Sequence, residues 1–195
     1  MNELNDKYFV VFDTETTGLD YRRGHQIIEI AGQKMKDGKV IEEFVGLINP
    51  TIPVDDDAYR VHGISNLFLA ENGKKASEVL PAFIEFIGDS IIVGHNIMNF
   101  DVPFLNNNLN NVGQPSLRNM LIDTLIMARK LLPGLPNHKL GTVATHFNVD
   151  YAGAHRAMRD VEINRQVFLK MLEQYMKVLE RERGMKDSMK GKTLL

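Results

Sequence analysis

"YFVVFDTETTG", residues 8–18, is the stretch from which the rest of the chain is read. Residues 8–13 are aromatic and β-branched up to a single acid, the composition of a buried strand. Residues two apart on a strand share a face, so Asp13 and Glu15 present both carboxylates on one side, at or just past the strand end. Thr14 turns to the other side, and Thr16, Thr17 and Gly18 begin a turn. Taken alone, the two acids could belong to that turn. Carboxylates this close repel one another, and one tends to stay protonated unless a divalent cation converts the repulsion into ligation.

Outward from this strand, QIIEIAGQKM (26–35) and VIEEFVGLI (40–48) predict two more. Lys36-Asp37-Gly38-Lys39 lies between them, and Asp-Gly is a hairpin signal. The first quarter therefore reads as a three-stranded antiparallel meander. Residues 50–75, rich in Pro, Asp, Asn and Gly, read as a surface excursion with short helical stretches. SEVLPAFIEFIG (77–88) has helical spacing, with Ser77 as its cap. SIIVGHN (90–96) is nearly all apolar, as befits a strand covered on both faces.

NFDVPFLNNNL (99–109) opens a helix, with Pro103 tolerable in its first turn. NMLIDTLIMARKLL (119–132) passes from a short strand into a helix near Asp123. Asn137 predicts a cap for a helix at 138–147. Residues 156 to about 181 predict a long amphipathic helix with Val161, Phe168, Leu172 and Leu179 on or near one face. The fold class is α/β with a mixed sheet, one domain over 1–181, followed by a short basic, flexible tail at 182–195.

Composition narrows the chemistry. The 195 residues are 44% hydrophobic and 25% charged, an ordinary globular balance. There are no cysteines, so any metal is held by oxygen or imidazole, which favours magnesium or manganese over zinc. No apolar run nears the roughly 20 residues that span a bilayer. The N-terminus, MNELNDKYFV, lacks the layout of a secretory signal, and the chain reads as cytoplasmic. A net charge of −2 does not advertise nucleic-acid binding, yet it allows local basic patches. Arg22 and Arg23, Lys74 and Lys75, and Arg156 and Arg159 are the candidates, though any single pair reads first as solvated surface.

Two more acids stand at element ends. Asp101 opens a helix directly after a buried strand, and Asp160 lies in the first turns of the last helix, with His155 just before it. Either acid alone could simply complement a helix dipole, and His155 taken alone reads first as a surface histidine. If residues 155–160 were all helical, five steps would set the His155 and Asp160 side chains about 140° apart. They converge better with His155 in a loop, which Gly153 permits.

FDTETTG, HNIMNFD and HRAMRD together resemble the three motifs of the DEDDh 3′–5′ exonucleases, the family that includes the epsilon proofreading subunits of DNA polymerase III. YRVHGIS (59–65) resembles the V-H-G-I-[ST] segment of that family. LIDTLIMARKLLP and NHKLGTVATHF resemble its stretches between the second and third motifs, so the likeness covers roughly residues 8–175. The resemblance implies a ribonuclease-H-like fold with a five-stranded mixed sheet flanked by helices. It also implies two Mg²⁺ or Mn²⁺ ions held by Asp13, Glu15, Asp101 and Asp160, with His155 as general base. With an ordinary histidine pKa of ~6.5, the rate then rises from acid toward neutral pH.

By the same resemblance the backbone near Thr16 meets a terminal 3′-hydroxyl, and Leu19 and His62 lie against the terminal base. Asn96 and Phe100 line the pocket or pack behind it, packing being favoured for Phe100. Asp123 reads as a helix cap at least as readily as a catalytic group, and His95 and His138 as structural.

The implied activity is shortening of single-stranded nucleic acid, DNA favoured, from the 3′ end to nucleoside 5′-monophosphates. Partners would be DNA or RNA 3′ ends and a DNA polymerase or replication assembly. The chain ends about fifteen residues after the last helix, which favours a stand-alone enzyme or an exonuclease domain of a larger assembly over a polymerase-tethered subunit. The alternatives are an RNA-trimming exoribonuclease, a catalytically inert binding module of the same fold, and a phosphatase for small esters.

Overall fold

The computed structural model describes residues 7–190, with side chains to Arg181. Its centre is a five-stranded sheet of order β3-β2-β1-β4-β5. The strands are β1 (Phe9–Thr16), β2 (Ile27–Lys36), β3 (Lys39–Leu47), β4 (Ile91–Gly94) and β5 (Leu121–Asp123). β1, β2 and β3 pair antiparallel, while β4 and β5 add in parallel on the other side of β1. The mixed sheet expected from the sequence is the one observed. Asp37 and Gly38 turn the β2–β3 hairpin with φ of 51° and 75°, the positive pair that matches the twist of adjoining strands.

β1 differs from expectation in one respect that matters for the site. It runs on to Thr16, because β2 continues opposite it: Asp13 faces Ala31, Thr14 faces Ile30 and Glu15 faces Glu29. A register shift interrupts the ladder only between Glu15 and Thr16. On its other side β1 pairs with β4 only over Phe9–Val11. Residues 13–16 therefore form an overhang, laddered on one edge and open on the other.

The helices are α1 (Asp56–His62), α2 (Asn66–Asn72), α3 (Ala76–Ile87), α4 (Asp101–Asn111), α5 (Thr124–Leu131), α6 (Leu140–His146) and α7 (Ala157–Lys190). Val10 and Phe12 of β1 pack with Leu80 and Phe83 of α3 and Phe104 of α4 on one face of the sheet. Val11 turns the opposite way to meet Val161 and Phe168 of α7. The second side of α7, through Ile163, Val167 and Met171, packs on Ala128 of α5 and Val143 of α6. Among the described residues no helix is long and apolar enough to cross a membrane.

Local boundaries depart from the sequence reading in three places. α3 begins at Ala76 after Lys75, so Ser77 lies inside the helix and does not cap it. Asn137 stabilises the turn ahead of α6: its Oδ1 accepts from the Lys139 N–H at 3.1 Å and the Thr142 hydroxyl at 2.7 Å, and the helix starts at Leu140. α7 continues past 181 to Lys190. Charge does not end a helix, and the Glu, Arg, Met and Lys residues of that stretch are strong helix formers. Of the expected flexible tail, 191–195 lie outside the described residues.

Candidate active site on a strand overhang

Asp13 and Glu15 leave the same face of β1, toward α7, and Asp160 meets them from the first turn of that helix. One carboxylate oxygen from each of the three lies within 4.8 Å of the others. Asp101, the first residue of α4, arrives separately. Its Oδ1 accepts from the Thr14 N–H at 3.1 Å and the Thr14 hydroxyl at 2.7 Å. That amide lies past the last β1–β4 pairing, so the Asp101 carboxylate stands where a ladder partner would have been.

Burial and mutual repulsion set the electrostatics. Burial, followed by the charges of Asp101, Glu15 and Asp160, holds the Asp13 carboxyl well above its ordinary range. Burial and the charges of Asp160, Glu29 and Asp101 push Glu15 up to about 8, with Arg156 pulling weakly the other way. Asp101 is pushed up to about 7 by burial, against the opposing hydrogen bonds from Thr14. Asp160 is also raised, chiefly by burial. Four acids that resist ionisation together form a site suited to a divalent cation with oxygen ligands.

His155 lies in the turn before α7, with φ of 71°, and Gly153 precedes it at φ 75°. The loop placement expected from the sequence is what the chain adopts. The His155 N–H donates to Asp160 Oδ2 at 2.8 Å, tying the two residues together through the backbone. Its exposed ring stands edge-on to Tyr151, with centroids 6.3 Å apart.

Beside the acids opens a cleft of about 480 Å³, lined by Glu15, Thr16, Leu19, Val61, His62 and Phe100 among others. Leu19 is 84% exposed, an apolar side chain held out at the cleft. His62 is buried; its Nδ1 accepts from the Ile64 N–H at 3.0 Å, and its Nε2 has no partner among the described residues. Burial lowers the pKa of His62 against the opposing pull of the Thr16 backbone, and with Nδ1 accepting from Ile64 the proton of the neutral ring form sits on Nε2. The Thr16 hydroxyl donates to the Gly18 carbonyl at 2.7 Å. Phe100 both lines the cleft and packs on Phe104, with centroids 4.9 Å apart.

Asn96 does not join this cleft. At φ 60° it lines a separate groove with His95 and Arg129. Asp123 is a clamp: its carboxylate caps α5 through Leu125 N–H at 2.9 Å and accepts from the Asn96 and Met98 amides at 3.0 and 3.3 Å. His95 spans Thr124 and the His138 carbonyl, and His138 reaches the Leu132 carbonyl, which makes both structural.

Sequence reasoning missed Glu29 and misjudged its partner. Glu29 is buried on β2 and takes both arms of the Arg156 guanidinium, at 2.7 and 3.2 Å. The available signal was an acid between Ile28 and Ile30 in the apolar first half of the strand. Arg159 is likewise engaged, with Asp150 at 3.2 Å and Glu162 at 3.0 Å, so neither arginine is a free basic patch.

Residues 10–168 match the family model described as Exonuclease. The PolC-type DNA polymerase III of Caldanaerobacter subterraneus is 37% identical over 170 residues, 87% of this chain and 12% of that protein. The DNA polymerase III subunit epsilon of Aquifex aeolicus is 34% identical over 173 residues, 89% of this chain and 84% of the subunit. Among solved structures, the zinc-bound complex of E. coli exonuclease I with single-stranded DNA superposes with a TM-score of 0.78 at 19% identity, covering 90% of this chain and 42% of that one. Exonuclease X in complex with 5′-overhanging duplex DNA superposes at 0.67 with 24% identity, covering 85% and 91%. The structural likenesses show a shared ribonuclease-H-like fold. The chain thus spans 12% of the PolC-type relative and most of the epsilon subunit.

Proposed function

The chain belongs to the exonuclease family, and from that premise we propose that this 3′–5′ exonuclease shortens single-stranded DNA from its 3′ end, releasing nucleoside 5′-monophosphates by a two-metal mechanism. The observation that carries the reading is the convergence of Asp13, Glu15 and Asp160 within 4.8 Å, from elements almost 150 residues apart, with Asp101 locked beside them by Thr14. Asp13, Glu15, Asp101 and Asp160 would hold two Mg²⁺ or Mn²⁺ ions, and their all-oxygen donor set suits those hard cations. When bound, the ions supply an activated water and stabilise the leaving oxygen.

The protein's own side chains do the rest. His155, exposed on the turn before α7, takes the proton of the attacking water as general base, a role worth on the order of 10²–10⁴-fold. The backbone near Thr16 receives the terminal sugar. Leu19 offers an apolar face to the terminal base, and the unpartnered Nε2–H of His62 is a donor left over for an oxygen of the nucleotide. The DNA preference draws on the exonuclease I and exonuclease X complexes, both with DNA. The likeness to an epsilon subunit supports work beside a DNA polymerase.

The test uses 5′-labelled single-stranded DNA and RNA of equal sequence with Mg²⁺, Mn²⁺ or EDTA, and the Asp13→Ala protein as control. A metal-dependent ladder shrinking from the 3′ end, faster on DNA and absent in the variant, is expected. Faster RNA shortening would replace DNA as the substrate. No shortening by a folded protein that binds the strands would favour an inert binding module.

A further inference from the structure

Glu15 on β1 and Glu29 on β2 are direct cross-strand partners, an unfavourable juxtaposition of like charges. Glu29 is 2% exposed, and its carboxylate is fully engaged. Its Oε1 accepts from Arg156 Nη2 at 2.7 Å, and its Oε2 from Arg156 Nε at 3.2 Å and the Ala157 N–H at 3.0 Å. The first amides of a helix have no partner within it, so Glu29 satisfies one of those of α7 while gripping the residue just before that helix.

The gripped segment lies between His155 and Asp160. His155 is held in a left-handed conformation that residues with a Cβ seldom adopt, and its backbone N–H is tied to Asp160 Oδ2. Without Glu29, the turn would keep its Arg159 ties to α7 and the packing of Tyr151 and Ala154 on α5 and α6, but it would lose its polar anchor to the sheet that carries Asp13 and Glu15. A two-toothed arginine–carboxylate pair fixes orientation as well as distance.

We infer that Glu29 is a positioning residue for the hydrolysis: through Arg156 and Ala157 it locks the His155 turn and the Asp160 end of α7 in register with the β1 acids. The inference rests on the proposed roles of His155 and Asp160. Glu29 touches neither substrate nor water in this role, so its removal acts on turnover and leaves substrate binding in place. Hydrogen-bonding partners of metal-site residues typically contribute about 10–100-fold.

The experiment compares wild type, Glu29→Ala and Glu29→Gln on a 5′-labelled single-stranded oligonucleotide at saturating Mn²⁺, alongside amide hydrogen exchange of each protein. For Glu29→Ala, kcat should fall about 10–100-fold with KM within about threefold. Exchange should quicken in residues 153–160 while β1 and β2 keep their protection. Glu29→Gln, which retains an acceptor oxygen, should lie between the two, and it decides the matter if the alanine variant does not fold. Wild-type kcat in the variants, a change in KM alone, or loosening spread evenly over the sheet would overturn the inference. A wild-type protein that leaves the oligonucleotide intact would overturn the hydrolase reading and this inference with it. An active wild type with an unaffected Glu29→Ala overturns this inference alone.

Discussion

Asp13 is the residue on which most of the site's repulsion converges, since Asp101, Glu15, Asp160 and Glu29 all raise its pKa after burial has done so. Replacing it with alanine should cost activity about 10³-fold or more, several kcal/mol of transition-state stabilisation, while leaving the fold intact. The same acids make the metal-free protein sensitive to pH. Glu15 moves from 4.5 to about 8 and Asp101 from 3.8 to about 7 on folding, so the folded state binds more protons than the unfolded one across that window. Their contribution to stability is therefore present at low pH and lost as pH rises toward 8. In EDTA the urea midpoint should be lower at pH 8.5 than at pH 5.5, and Asp13→Ala should flatten the difference. A midpoint that climbs over this range would contradict the assignment of these acids as a repelling cluster.

At the scale of elements, the site exists because β1 outruns β4. The overhang leaves the Thr14 amide without a ladder partner, and α4 fills the gap with Asp101. Thr14→Val keeps the shape of the side chain but removes the hydroxyl donor to a buried carboxylate. It should destabilise the protein by about 1–2 kcal/mol and weaken Mn²⁺ binding about 10-fold or more, measured by denaturant titration and calorimetry. Unchanged Mn²⁺ affinity would mean that Asp101 does not need Thr14 to orient it. The pair between α7 and β2 is asymmetric. The Arg156 side chain is half exposed whereas that of Glu29 is buried, so Arg156→Ala strands a buried carboxylate on the single Ala157 amide. That variant should lose about 2 kcal/mol of stability and should melt below Glu29→Ala.

For the whole molecule, the end of the central strand gathers residues from β1, α4 and α7, so a bound cation couples folding across both layers. A ligand that binds only the folded state stabilises it by RT ln(1 + [L]/Kd), about 2.7 kcal/mol at a hundredfold excess over Kd. Mn²⁺ should therefore raise the melting temperature, and by more at pH 8.5 than at 5.5, because its ligands must first ionise. Equal shifts at both values would argue against carboxylate ligation.

Much of this molecule follows from local chemistry. The hairpin was legible in Asp37-Gly38, and the shared face of Asp13 and Glu15 in their spacing of two. The loop position of His155 was legible because a helix would have turned it away from Asp160. These are properties of neighbours along the chain, where backbone geometry alone decides. What the tertiary structure decided are contacts between distant segments. Among them are the extension of β1 to Thr16, Asp101 replacing a missing ladder bond, Asn96 facing another groove, and Glu29 holding Arg156 across 127 positions. A strand ends where its partners end, and a charge can be buried only where its counterpart arrives; both depend on packing that no single stretch of sequence contains.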